Sequence, residues 1–124
     1  MQLQESGEMY LETIYVLSQS SKAVRAIDVG EYMGFSKPSV SRALSILKQG
    51  GFVVSDGNGF LSLTESGTAV AEKIYERHQI LTGILLQLGI DEKHASEDAC
   101  RIEHVISDET FRAIKEHMKS HDRN

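Results

Sequence analysis

Cys100, Glu103 and His104 put a thiol, a carboxylate and an imidazole within one stretch, EDACRIEHVISDE, and Cys100 is the chain's one cysteine. At about 100° per residue on a helix, Glu103 would lie roughly 60° to one side of Cys100 and His104 roughly 40° to the other. Three chemistries suit such a sector. Thiolate, carboxylate and imidazole together can hold a divalent transition metal. Cys100 with His104 as base would make a nucleophile, but that needs a third group to orient the imidazole, and no glycine-rich oxyanion loop stands beside it. Cys100 can also be a small buried hydrophobe, the usual fate of a free cysteine. Catalysis fits worst; the metal and inert readings stay open on spacing alone.

The elements that must position these groups follow from periodicity. Asp91 is a helix cap, and Ala95, Ala99, Ile102 and Ile106 continue from it as an apolar stripe. The donor sector is offset by one residue from that stripe, at the edge of a core. Upstream, Thr64 and Glu65 open a long helix that carries Val70, Ile74, Leu81, Leu85 and Leu88 and ends at Gly89. His78 sits on its apolar face, where a lone histidine is more often a core residue than a ligand. A last helix begins near Ser107 or Asp108 and carries Phe111, Ile114 and Met118.

The first half reads differently. Residues 7–20 carry Tyr10, Ile14 and Leu17 at helical spacing, and a short helix over Val24–Met33 stops at Gly34. Ser36 is an N-cap, Pro38 is tolerated in the first turn, and Val40, Ala43, Leu44 and Leu47 form the buried face of a third helix closed by Gly50 and Gly51. FVVSDGNGFLSL then reads as a hairpin. A helix–turn–helix followed by a two-stranded wing is a module for reading DNA.

Composition is consistent with that module. The 124 residues are 40% hydrophobic and 25% charged, enough for one compact core with a small appended subdomain. No apolar run reaches membrane-spanning length, and no leader or disulfide framework appears, so a cytoplasmic protein without a membrane partner is expected. The net charge is −5, yet no acid occurs from Tyr32 to Ser55, where Lys37, Arg42 and Lys48 fall. With the apolar stripe removed, Ser36, Lys37, Pro38, Ser39, Ser41, Arg42 and Lys48 are the DNA-contact candidates. Arg42 suits a guanine edge, and Lys37 and Lys48 suit phosphates. The wing tip DGNG has no cation, so its main-chain N–H groups are all it can offer phosphate.

Two segments together, SGEMYLETIYVL and EDACRIEHVISDE, resemble the metal-dependent repressors of the diphtheria toxin repressor and manganese transport regulator family. DVGEYMGFSKPSVSRALSILKQGGFV and LSLTESG resemble its winged helix. The resemblance runs from about Gly7 to Met118. It implies a mainly α fold with one small β-hairpin: a winged helix–turn–helix domain over residues 1–72, then an all-α dimerisation domain over residues 73–124, without the SH3-like domain of longer members. It also implies a homodimer that binds double-stranded operator DNA, represses metal-homeostasis genes, and is not an enzyme with an organic small-molecule substrate.

Carried over position by position, the iron-type primary site would use Met9, Cys100, Glu103 and His104. The manganese branch resembles an Asp in place of Met9 and a Glu in place of Cys100. The sulfur pair is soft and suits Fe(II), Co(II), Ni(II) or Zn(II) better than Mn(II), with Fe(II) the first choice. His78 and Glu12 match a second metal position. Thr82 replaces its expected acid and Ser96 its expected histidine, while His94 is out of register, so that position is expected to be weak or missing. The alternatives are a manganese- or zinc-responsive regulator of the same fold, a metal-independent winged-helix regulator with Cys100 inert, or a small metal-binding or hydrolytic protein.

Overall fold

Apolar residues at helical spacing, caps and one Gly-rich turn produce six helices and a hairpin among the described residues. The computed structural model describes residues 5–20 and 23–122. In chain order these are α1 (Glu5–Ser20), α2 (Ala26–Met33), α3 (Lys37–Gln49), β1 (Val53–Ser55), β2 (Leu61–Leu63), α4 (Glu65–Gln87), α5 (Glu92–Ile102) and α6 (Asp108–Asp122). The chain divides into two compact units, Met1–Glu72 and Lys73–Asn124. Among the described residues no helix is long and apolar enough to cross a membrane.

The first unit is built on Leu11, Ile14, Val29, Val40, Leu44, Leu47, Val53 and Leu61, all buried. Each such aliphatic side chain contributes about 1.5–3 kcal/mol by leaving water. Asp28 accepts the Arg25 N–H at 2.8 Å and so starts α2. Gly34 ends α2 at φ 72°, a left-handed geometry that glycine adopts without penalty, and its N–H reaches the Gly30 carbonyl. Ser36 accepts the Ser39 N–H at 3.3 Å and caps α3, with Pro38 in the first turn. The sequence places Val24 in the second helix. It lies outside α2 instead, and its carbonyl accepts the Leu61 N–H of the hairpin at 2.7 Å.

β1 and β2 are antiparallel, with Val53 opposite Leu63 and Ser55 opposite Leu61. Val53 and Leu61 point inward, while Val54 and Ser62 point to solvent. The tip is closed by Asp56: its Oδ1 accepts from Asn58 N–H at 2.8 Å and from Phe60 N–H at 3.0 Å. Thr64 then joins hairpin to helix. Its hydroxyl donates to the Gly51 carbonyl at 2.6 Å and accepts the Gly67 N–H at 3.1 Å, capping α4. At Gly67 a Cβ would lie 2.1 Å from the Phe52 carbonyl oxygen, so only glycine permits this approach.

In the second unit Ile74, Leu81, Ala95, Ala99 and Phe111 are buried. Asp91 caps α5 through the His94 N–H at 3.2 Å, and Ser107 caps α6 through the Thr110 N–H at 3.1 Å. Two expectations need correction. Leu88, assigned to the apolar stripe of the long helix, is 72% exposed, because α4 stops at Gln87. The helix from Asp91 was read through to Ile106 but ends at Ile102. Beyond it the Val105 and Ile106 amides both turn back to the Ile102 carbonyl at 3.0 Å.

Candidate metal centre and nucleic-acid interface

The end of α5 therefore decides where the donors sit. Cys100 lies in its last turn, while Glu103 and His104 lie in the turn that follows. Glu103 keeps helical dihedrals, φ −58° and ψ −26°, and its N–H still reaches the Ala99 carbonyl. That continuation preserves the helical spacing on which the expectation rested. One donor atom from each of Cys100, Glu103 and His104 falls within 4.8 Å of the other two.

Burial separates the three. Cys100 is half-buried, whereas the Glu103 and His104 side chains are 0% exposed. A buried carboxylate is costly unless partners compensate its lost hydration. Here His78 Nδ1 lies 2.8 Å from Oε2 of Glu103, and His104 Nε2 lies 3.3 Å from Oε1. Half-buried His78, which stands on the inward face of α4, thus meets Glu103. A thiol, a buried carboxylate and a buried imidazole converging in one place fit a divalent transition metal by donor type and number.

The remaining candidates are placed as follows. Met9 and Glu12 are half-buried on α1 of the first unit, and the Met9 carbonyl accepts the Thr13 hydroxyl at 2.9 Å. Thr82 is half-buried, and its hydroxyl oxygen finds no partner among the described residues. His94 is exposed and bonds Asp91 at 2.7 Å, at the opposite end of α5 from the donors. Ser96 is half-buried.

Sequence reasoning missed the group that holds the donor turn. Arg77, on α4 and 6% exposed, donates through Nη1 to the Glu103 carbonyl at 3.2 Å and the Ile106 carbonyl at 3.1 Å. Its Nη2 pairs with Asp108, and its guanidinium lies 5.4 Å from the Phe111 ring centroid. Lys73 also reaches Asp108, at 3.3 Å. Lys73 first, then Arg77, holds the Asp108 carboxyl below its ordinary range. These bonds span about thirty residues, and no local pattern marks them.

On the first unit, Ser36, Lys37, Pro38, Ser41, Arg42 and Lys48 are exposed and Ser39 is half-buried. The Ser36 hydroxyl donates to that of Ser39 at 2.9 Å, so these two serines begin the helix as well as facing outward. Lys37, Ser41 and Lys48 share a groove between α2, α3 and the hairpin with Ile27, Val40 and Leu61. The wing tip offers phosphate less than its glycines suggest. The amides of Asp56, Asn58, Gly59 and Phe60 already donate within the turn. A cation that the sequence did not place here is Arg25, exposed, with its guanidinium 4.4 Å from the Phe60 ring centroid.

Comparison with known proteins agrees with both halves. Residues 2–59 match the iron dependent repressor, N-terminal DNA binding domain, and residues 64–124 match the iron dependent repressor, metal binding and dimerisation domain. The chain is 31% identical over 119 residues to an uncharacterized HTH-type transcriptional regulator of Methanocaldococcus jannaschii, covering 94% of this chain and 95% of that one. It is 30% identical over 118 residues to the diphtheria toxin repressor of Corynebacterium diphtheriae, covering 94% of this chain and 52% of that protein. Its fold is similar to the manganese regulator SloR, with a TM-score of 0.82 and 26% identity over 96% of this chain and 55% of that one. The chain thus spans about half the length of the last two. Two domain matches in order, and a relative similar over nearly its whole length, show that the chain belongs to the iron-dependent repressor family, which is made of transcriptional repressors rather than enzymes.

Proposed function

We propose that this protein is a metal-activated, sequence-specific repressor that binds double-stranded operator DNA as a homodimer and controls metal-homeostasis genes, with Fe(II) as its metal. The observation that carries this reading is the convergence of Cys100, Glu103 and His104 within 4.8 Å. It occurs in a chain that pairs a DNA-binding domain with a metal-binding and dimerisation domain. The proposed donors are Met9, Cys100, Glu103 and His104. A thioether with a thiolate favours Fe(II), and also Co(II), Ni(II) or Zn(II), over Mn(II). SloR is named for manganese, and a manganese-responsive regulator is the second reading.

An ion held by Met9, Cys100, Glu103 and His104 would supply a cross-link among those side chains. The chain's residues supply the rest. Cys100 must give up its proton to ligate, so loading weakens as pH falls. His78 holds one oxygen of Glu103 and leaves the other toward His104. With Thr82 and Ser96 in place of an acid and a histidine, the second position proposed for His78 and Glu12 is weak or absent. On DNA, Arg42 reads a base edge, Lys37 and Lys48 hold phosphates, and Ser36, Pro38, Ser39 and Ser41 line the entry of α3 into the major groove.

The test is operator binding by wild type, Met9→Ala and Cys100→Ala, with and without Fe(II), on DNA selected from a random pool. Both substitutions should abolish the metal dependence; an unchanged dependence overturns the site. Arg42→Ala should cost about 1–3 kcal/mol and relax preference at one base pair per half-site. An equal loss on random DNA would make Arg42 a phosphate contact instead.

A further inference from the structure

We propose that Arg77 is a positioning residue for the metal donors: it holds the Glu103–Ile106 turn in shape from α4. The inference rests on the metal-site reading above and goes beyond it. The α-helix ends at Ile102: the Glu103 N–H still reaches the Ala99 carbonyl at 2.9 Å, but the Glu103 carbonyl accepts from the Arg77 guanidinium in place of a helical amide. One nitrogen takes the Glu103 and Ile106 carbonyls at 3.2 and 3.1 Å, on either side of His104, and the other pairs with Asp108 at the start of α6.

The geometry separates this role from ligation or general acid–base work. Arg77 bonds the Glu103 carbonyl and not its carboxylate, whose two oxygens face the His78 and His104 rings. The arginine thereby fixes where the side chain originates and leaves its donor atoms to the site. A planar guanidinium reaches two carbonyls and a carboxylate at once, which a lysine ammonium on a flexible stem does not reproduce. The arrangement is kept at a cost, since Nε of Arg77 is buried with no partner among the described residues. Ordering a donor's backbone before the metal arrives removes that entropy from the binding step.

The experiment is Co(II) titration of the full-length protein, followed by its d–d and thiolate-to-metal absorption, for wild type, Cys100→Ala, Arg77→Met and Arg77→Lys. Met keeps an apolar stem against Phe111 and removes every hydrogen bond. Arg77→Met should bind Co(II) about 10–100-fold more weakly, with altered d–d bands. Arg77→Lys should not restore wild-type affinity. Lys115→Met removes an exposed ion pair to Glu76 of 3.0 Å in the same unit, and should leave affinity and spectrum unchanged. Wild-type affinity and spectrum in Arg77→Met overturn the proposal, and if that variant does not fold, wild-type behaviour in Arg77→Lys overturns it. A wild-type spectrum that Cys100→Ala leaves unaltered would instead overturn the metal site itself.

Discussion

Replacing Gly67 with alanine tests the joint on which the hairpin hangs. The added Cβ would stand 2.1 Å from the Phe52 carbonyl oxygen, and real contacts of this kind do not fall below 3.0 Å, so the backbone must move by about 0.9 Å. The same oxygen accepts the Thr64 N–H at 3.0 Å, and Thr64 also ties Gly51 to the start of α4. Overpacking of this kind costs about 1–3 kcal/mol. Losing the Thr64 hydrogen bond adds about 1 kcal/mol, and alanine's better helix propensity returns about 1 kcal/mol. The net destabilisation is about 1–3 kcal/mol, and each kcal/mol lowers Tm by roughly 4–8 °C in a unit of this size. The assay is thermal unfolding of the full chain by circular dichroism. Gly57→Ala is the control, because a Cβ there meets nothing within 4 Å. If Gly67→Ala melts with wild type, the contact is not as tight as the geometry states and the reasoning fails.

Two further outcomes follow from the caps. Ser36→Ala removes the oxygen that receives the Ser39 N–H and should destabilise α3 by about 1 kcal/mol, read as a lower Tm; an unchanged Tm would mean that solvent caps the helix equally well. His94 should titrate above its ordinary 6.5, because its hydrogen bond to Asp91 and then that residue's charge favour the protonated ring. Asp91 is correspondingly held below 3.8, first by the His94 amide. The histidine's contribution to stability is complete below pH 6.5 and is lost as pH rises through its raised value. The aspartate's is complete above 3.8 and is lost as pH falls through its lowered value, so the cap is strongest between the two. NMR titration checks this: a His94 midpoint that Asp91→Asn does not lower would refute the pairing.

What could be read from the chain was what local chemistry decides. α3 was legible because Ser36, Pro38 and the run Val40, Ala43, Leu44, Leu47 agree on its start and buried face, and the hairpin was legible because DGNG admits little but a turn. The convergence of Cys100, Glu103 and His104 as a candidate site was legible in part, since the three are neighbours in sequence. The end of α5 was not. Ile106 continues the apolar period of Ala95, Ala99 and Ile102, and nothing nearby says that the Glu103 and Ile106 carbonyls belong to Arg77 on another helix. Val24 failed for the same reason, because its carbonyl bonds Leu61, far along the chain. Periodicity reports helix termination poorly when the terminating partner is remote.

The closed wing tip has an electrostatic outcome on DNA. The Asp56 carboxylate holds the Asn58 and Phe60 amides and adds a negative charge, and the tip DGNG has no side-chain cation to offer phosphate. Among the described residues, Arg25, Lys37, Arg42 and Lys48 are the exposed cations of the first unit. With Arg42 on a base edge, Arg25, Lys37 and Lys48 on phosphate in each half of the proposed dimer would give log K a slope of about −5 against log salt. Affinity would then drop roughly 2,000-fold between 50 and 200 mM salt. Substituting any one of these cations removes two phosphate contacts from the dimer and about two units of that slope. In the proposed complex the salt dependence would come from these exposed side chains of the first unit and not from the wing tip.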